Sequence, residues 1–313
     1  MNVFGLYGRF FIFTIITNFS YFCMTGCVVR SQTISMNKTN YHSHCTYCDG
    51  KAPMEEFVRR AVEEGFTSYG ISSHSPLPFE ASWVLQAGEV DNYLRDIEEL
   101  KRKYGGQIEL YAGMETDYVD DGFNPASDYF QKMPLDYRIG SVHFIAAPDG
   151  EFIDTDTIPQ VFRQNLHKHF GGDLRRLVRQ FFDASMRMVE LGGFDFIGHA
   201  DKVSINADYC ENGTSKSDWY TKMVNEYFDL IAEKGTMVEI NTKRYASKGY
   251  FFPNGHHFKT LQRMKVPVLV NSDAHAPELI NDNRANAIAL LRQAGFKTVR
   301  ELSGGKWIDV PIG

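Results

Sequence analysis

The chain has 313 residues, 43% hydrophobic and 23% charged, enough for one large domain or two ordinary ones with a sizeable core. Its formal net charge of −6 supplies no basic field for a nucleic-acid backbone, so nucleic acid is not the expected partner. Five cysteines, Cys23, Cys27, Cys45, Cys48 and Cys210, are an odd number spread over a long chain. That is unlike the dense framework of a small secreted domain and fits a reducing, cytoplasmic compartment.

Residues 1–36 differ in character from the rest. Phe10 to Cys23 is a mostly apolar run behind Arg9, too short for a comfortable membrane span but suited to the apolar region of a signal peptide. Met24-Thr25-Gly26-Cys27 has the look of a bacterial lipoprotein cleavage box, which would make Cys27 a lipidation site and the chain an exported lipoprotein. Against this, Thr14, Thr17, Asn18 and Ser20 dilute the run, and Met36 stands just before the first predicted strand. A misassigned start, an export signal and a retained anchor are all open readings, and the segment is set apart from the fold. For the remainder, 37–313, no membrane association is expected.

From Asn40 onward, short β-branched or aromatic runs alternate with segments of helical period, the pattern of a parallel sheet with crossover helices. Seven strands are predicted: Asn40 to His44, Ser68 to Ser72, Ile108 to Met114, Tyr137 to Val142, Phe194 to Gly198, Met237 to Ile240 and Val266 to Asn271. Between and after them, helices are predicted over Met54 to Glu64, Val90 to Tyr104, Leu174 to Leu191, Trp219 to Glu233 and Asn286 to Gln293. One α/β barrel from about residue 37 to about residue 300 explains this rhythm better than two linked domains. Ala146 to Gly172 reads as an irregular insertion on the barrel rim.

Six of the ten histidines fall at or just after predicted strand C-termini: His42, His44, His74, His143, His199 and His275. The same edge carries Glu115, Glu239 and Asp273. In parallel barrels this edge is where active sites assemble. The two-residue spacing turns His42 and His44 to one face, and likewise Asp273 and His275 if that strand continues. So many imidazoles and carboxylates in one mouth would be costly to bury without metal ions to satisfy them. By contrast, His167 and His169 lie in the rim insertion and His256-His257 opens a predicted helix, so all four are expected away from the mouth. Cys45-Thr46-Tyr47-Cys48 has redox or zinc-pair spacing, but no second pair answers it, and a structural or incidental role is expected.

These residues carry a family resemblance. Tyr41-His42-Ser43-His44, Gly70-Ile71-Ser72-Ser73-His74 and Gly113-Met114-Glu115-Thr116-Asp117-Tyr118 are its first blocks. Ile139-Gly140-Ser141-Val142-His143-Phe144, Asp195-Phe196-Ile197-Gly198-His199, Glu239-Ile240-Asn241-Thr242 and Asn271-Ser272-Asp273-Ala274-His275 follow in order. Taken together, from about Thr39 to about Gly295, the sequence resembles the polymerase and histidinol phosphatase superfamily, and within it the histidinol-phosphatases. The resemblance implies a distorted seven-stranded TIM-like barrel with a trinuclear site. One metal would lie on His42, His44, Glu115 and Asp273, a second on Glu115, His143 and His199, and a third on Asp49, His74 and His275. Asp49-Gly50 equally suits a turn. Mixed oxygen and nitrogen donors suit two or three Mn, Fe or Zn ions.

The implied chemistry is metal-assisted hydrolysis of a small phosphomonoester, L-histidinol phosphate first, as in histidine biosynthesis. Asp201, two residues beyond His199, would protonate the leaving oxygen or make a structural salt bridge. Lys202, Lys243, Arg244 and Arg163 are candidates for substrate phosphate, each with a solvated-surface alternative. Two rival readings are a related phosphoesterase or nuclease acting on nucleotides or oligonucleotides, and a non-catalytic domain stabilised by metal.

Overall fold

A computed structural model of the chain describes residues 37–313. The apolar run and the Cys27 box lie outside the described residues. The chain begins with β1 (Thr39–Asn40), α1 (Met54–Glu63), β2 (Ser68–Ile71), α2 (Val90–Tyr104) and β3 (Glu109–Asp117). After a short α3 (Asp128–Gln131) come β4 (Tyr137–Ser141), β5 (Phe144–Ala146), β6 (Phe152–Asp154), α4 (Pro159–Phe170) and α5 (Leu174–Leu191). The second half runs β7 (Phe196–Ile197), α6 (Val203–Cys210), α7 (Asp218–Lys234), β8 (Met237–Asn241), α8 (Tyr245–Lys248), α9 (Phe258–Arg263), β9 (Val268–Asn271) and α10 (Arg284–Ala294). A hairpin of β10 (Thr298–Ser303) and β11 (Lys306–Pro311) ends it. The helices carry their own stop and start signals. Ser217 and Asp173 accept hydrogen bonds from backbone N–H groups at the starts of α7 and α5, and Gly235 closes α7 in the left-handed region.

Seven strands form one parallel sheet in the order β1-β2-β3-β4-β7-β8-β9. It curls until β9 meets the chain that follows β1. There Ser43 and Ala274 make a single parallel bridge, with His44 N–H donating to the Ala274 carbonyl at 2.8 Å and Ala274 N–H to the His42 carbonyl at 3.1 Å. Side-chain amides replace the missing ladder bonds at this seam. Asn271 Oδ1 accepts from Tyr41 N–H, and Asn40 Oδ1 accepts from Ser272 N–H. This is why β1 is shorter than the predicted Asn40 to His44: the His42 region is held by side chains rather than by a continuous ladder. The fifth barrel strand, β7, is likewise only two residues long.

Strand alternation fills the lumen in layers. Along β3, Tyr111, Gly113, Glu115 and Asp117 share one face. The lowest layer is an aromatic and aliphatic plug containing Tyr41, Tyr111, Tyr137, Phe196, Met237 and Leu269. Tyr137 lies across the barrel and donates its hydroxyl to the Tyr41 carbonyl at 2.6 Å. Its ring needs the space left by absent side chains: a Cβ at Gly113 would stand 2.1 Å from the ring and one at Gly70 2.2 Å from the hydroxyl.

Two features depart from the sequence reading. The C-terminal hairpin was not among the predicted strands, yet it stoppers the bottom of the barrel. Leu302 N–H donates to the Tyr41 hydroxyl at 2.8 Å, and Trp307 packs edge-on against Tyr41 with centroids 5.2 Å apart. Nor is the rim insertion irregular: it consists of the β5–β6 hairpin followed by α4. Among the described residues no helix is long and apolar enough to cross a membrane.

Gly113→Ala should force Tyr137 off its seat and lower stability by roughly 1–3 kcal/mol, the range for overpacking a filled core. Gly88→Ala, where an added Cβ meets nothing within 4 Å, is the control and should change little. Urea denaturation of the two variants checks this; equal midpoints would show that the lumen is not tightly packed around Tyr137.

Candidate metal centre

Glu115, fully buried on β3, stands at the centre of the mouth. Five imidazoles crowd its carboxylate. Oε2 lies 2.9 Å from His74 Nδ1, 3.1 Å from His42 Nε2 and 3.4 Å from His44 Nε2. Oε1 lies 2.8 Å from His199 Nε2 and 3.6 Å from His143 Nε2, and it accepts from the Ser141 hydroxyl at 2.7 Å. The orientation of these groups matters more than their proximity. His42 Nε2, His44 Nε2, His74 Nδ1 and Glu115 Oε2 are buried and make no aligned hydrogen bond. Three orphaned imidazole nitrogens and one orphaned carboxylate oxygen converging on one point are the geometry of a ligand set, because buried polar atoms are otherwise paired.

Five overlapping groups bring ligand atoms within 4.8 Å of one another: His42, His44 and Glu115; Glu115, His143 and His199; His44, Asp49, His74 and His275; His42, His199 and Asp273; and His74, Asp117 and His143. Glu115 belongs to two of them. Asp273 Oδ1 adds to the first, 3.3 Å from His44 Nε2 and 3.8 Å from His42 Nε2. Asp49 does sit in a turn, but its Oδ2 also reaches 3.2 Å from His275 Nε2. The next residue must be glycine for that turn to close, since a Cβ at Gly50 would lie 2.2 Å from the His44 carbonyl oxygen. The strand before Asp273 does not continue through it, so the condition for a same-face pair is not met. β9 ends at Asn271 and Asp273 has φ 50°, so Asp273 and His275 meet through a turn and not through strand alternation. His199 is also left-handed, at φ 30°. Non-glycine residues held there store strain that the surrounding structure must impose.

The charge states suit ligation. Burial would raise the Glu115 carboxyl, but His42, His74, His143 and His199 outweigh it and hold it well below the usual range. Burial likewise opposes ionisation of Asp273, and Lys243 with His42 overcomes it. Burial lowers His44, helped by His275 and His74, and so keeps it neutral.

A second layer of carboxylates fixes the rings. Glu239 is not aimed at the centre: its Oε1 meets His42 Nδ1 at 2.7 Å and Asn271 Nδ2 at 3.0 Å. Its Oε2 accepts from His199 N–H and Asn241 Nδ2, both at 2.9 Å. Asp117 Oδ1 holds His143 through Nδ1 at 2.8 Å and through the backbone N–H at 3.0 Å. Burial opposes protonation of His143, but Asp117 and Glu115 raise it to about 10, the basicity of a carboxylate-backed imidazole. Asp117 was missed as an orienting group although Glu115-Thr116-Asp117 carries the signal, two carboxylates on one face of a strand.

The candidate substrate residues divide. Lys243 lines the mouth cavity, with Nζ 3.1 Å from Asp273 Oδ1 and 3.4 Å from His275 Nε2. Lys202 is buried and paired with Asp156, Nζ to Oδ2 3.0 Å. Arg244 is exposed where α8 begins, and Arg163 on α4 lies over the Tyr209 ring at 4.4 Å; neither lines the cavity. Asp201 does not line it either. Its buried carboxylate accepts from Asn254 N–H at 3.0 Å, and burial raises it to about 7. Among the described residues Asp201 makes no salt bridge, which corrects that alternative, and its carboxylate stands outside the cavity wall where the other alternative would need it. The other histidines lie elsewhere: His169 pairs with Asp149, His256 with Asn254, and His257 packs on Phe228. His167 stands beside Gly172 at the end of α4. Cys45 and Cys48 are free thiols, placed beside Ser73 and His44 respectively.

Asp117→Asn keeps the size of the side chain but weakens its hold on His143. Metal affinity, read by titration of metal-free protein, should fall roughly 10- to 100-fold, the usual cost of losing an orienting partner. An unchanged affinity would mean that His143 takes no part in ligation.

Known proteins share this fold and match along much of this sequence. Histidinol-phosphatase from Bacillus subtilis is 25% identical over 261 residues, covering 77% of this chain and 94% of that protein. The solved structure of histidinol phosphate phosphatase from Lactococcus lactis, complexed with zinc, L-histidinol and phosphate, superposes with a TM-score of 0.67 at 19% identity, covering 87% of this chain and 99% of that one. The hisK chain from Listeria monocytogenes gives a TM-score of 0.71 at 19% identity, over 80% of this chain and 99% of that one. The PHP domain family matches residues 40–243, which span β1 to the end of β8 and include every candidate ligand except Asp273 and His275; the chain belongs to that family.

Proposed function

We propose that this chain is a metal-dependent phosphomonoesterase that hydrolyses L-histidinol phosphate to L-histidinol and phosphate, as in histidine biosynthesis. The observation that carries the reading is the set of orphaned imidazole nitrogens around Glu115 Oε2, a donor set that asks for cations. The substrate comes from the relatives, which are named for that activity and match along most of their length. Two or three divalent ions are proposed, held by His42, His44, Glu115 and Asp273, by Glu115, His143 and His199, and by Asp49, His74 and His275, with His44 adjoining the last group. Zinc, manganese and iron all suit mixed imidazole and carboxylate donors.

When bound, such ions supply a water-derived nucleophile at neutral pH and offset phosphoryl charge. The remaining work falls to the chain itself. Glu239 and Asp117 turn His42 and His143 so that each Nε2 faces the centre. Lys243, the cation lining the mouth cavity, is placed to meet a phosphoryl oxygen. Lys202 does not reach substrate in this scheme; it anchors Asp156. We place the activity in residues 37–313 and the protein in the cytoplasm, without nucleic acid or membrane as partner.

A panel of L-histidinol phosphate, nucleoside monophosphates and short oligonucleotides tests the substrate. Preference for a nucleotide or oligonucleotide would move the chain to the nuclease branch of its family, and no turnover by metal-loaded protein would make it a structural domain. Glu115→Gln should lower kcat by roughly three orders of magnitude, the scale of a lost major electrostatic group, while circular dichroism stays close to wild type. A variant that kept a tenth of the activity with full metal content would show that Glu115 is not the shared ligand.

A further inference from the structure

The mouth cavity has a volume of about 250 Å3. Candidate metal ligands and Lys243 form part of its wall; the rest is Trp83, Asp154 and Asp156. None of these three belongs to the ligand groups around Glu115 and Asp49, and a carboxylate beside a phosphate site repels the phosphate. Acidic groups in such a place are accounted for when another part of the substrate is cationic.

The two carboxylates are not equivalent. Asp156 is neutralised by the buried Lys202, Nζ to Oδ2 3.0 Å. Asp154 has no ion pair among the described residues. One of its oxygens, Oδ1, accepts from Asp156 N–H at 2.8 Å, which fixes the side chain. The hairpin fixes its position as well. Asp154 is the cross-strand partner of Phe144, the residue after His143, and Thr155 N–H donates to the His143 carbonyl at 2.8 Å. Trp83 completes the wall. Its ring stacks on Phe144 at 5.8 Å and 7°, and meets His74 edge-on at 4.6 Å. An indole and a carboxylate without an ion pair, both lining one cavity, are a setting that suits an organic cation.

We propose that Asp154 is a specificity-determining residue that receives the cationic end of an amino-alcohol phosphate, with Trp83 as the apolar wall beside it. This rests on the phosphatase activity proposed above. The phosphate ester lies at the metal ligands and Lys243, and the ammonium of the alcohol portion reaches Asp154. The β5–β6 hairpin thereby ties substrate choice to the strand end that presents His143.

The test is the kinetics of metal-replete Asp154→Asn on three monoesters: L-histidinol phosphate, β-glycerophosphate, whose alcohol is neutral, and 4-nitrophenyl phosphate, whose leaving group needs no proton. Asn keeps the acceptor for Asp156 N–H, so folding should be preserved, and circular dichroism checks it. For L-histidinol phosphate kcat/KM should fall roughly 10- to 100-fold, mostly through KM, as for loss of one charge-assisted hydrogen bond. Both neutral esters should change by less than about 3-fold, and inhibition by free L-histidinol should weaken in step. An equal fall in kcat for both alkyl esters with the aryl ester spared would make Asp154 a proton donor and overturn the proposal. An equal fall for all three would overturn it in favour of a structural role. Wild-type protein that hydrolyses the neutral esters but not L-histidinol phosphate would instead overturn the activity proposed above.

Discussion

A carboxylate with no access to water must be surrounded by positive charge or give up its own. Glu115 sits in that position on the longest strand of the barrel, and the arrangement of the mouth follows from it. Five imidazoles, three from the ends of β2, β4 and β7 and two from the β1 seam, approach its two oxygens within 3.6 Å. Neutral imidazoles alone are poor compensation, and protonating all five would place like charges side by side: His44 lies 4.2 Å, centroid to centroid, from both His74 and His275. Cations shared among the rings and carboxylates resolve both problems together, and the unaligned nitrogens already face where they would lie.

The scaffold beneath makes this concentration of polar groups tolerable. Alternation puts Tyr111 and Gly113 under Glu115, and Tyr137 and Ile139 under Ser141 and His143, so a dry aromatic layer separates the polar mouth from the other end. That end is closed by the terminal hairpin, whose Leu302 and Trp307 pack on the Tyr41 and Tyr137 layer. Arg284 of α10 is drawn in as well, donating to the Thr39 and Val270 carbonyls and pairing with Glu301 at 3.4 Å. The β1–β9 seam, where ladder bonds are fewest, is therefore reinforced from below. It also carries His42, His44 and Asp273, which need to be held firmly if they are to share an ion.

Much of this was legible in the sequence because barrel strands announce themselves. The seven apolar runs are the seven strands of the sheet, and α2 and α5 have the predicted bounds, since Gly105 and Gly192 stop them. The histidines after strands were legible for the same reason. What escaped detection depends on contacts rather than period. The terminal hairpin turns at Gly304-Gly305, both at positive φ, a signal present in the sequence but weak beside the barrel rhythm. Asp201 was placed by its distance from His199 along the chain, yet the left-handed backbone at His199 sends it toward Asn254. Arg163 was placed by the insertion that contains it, and the insertion folds into a helix that stacks the guanidinium on Tyr209.

The electrostatics of the rim explain why the insertion is structured at all. A loose loop could not bring Asp154 and Asp156 against a mouth already rich in carboxylates, because the added charge would drive the segment back into water. The hairpin is held by its own ladder, by Thr155 N–H on the His143 carbonyl, and by Asn206 Nδ2 donating to the Thr155 and Thr157 carbonyls. Lys202, buried behind it and resting over Phe252, neutralises Asp156 from the inner side. One carboxylate is thus balanced within the fold while Asp154 is left to face the cavity. A ligand that is anionic at one end and cationic at the other satisfies both halves of the mouth, whereas inorganic phosphate satisfies only the metal half.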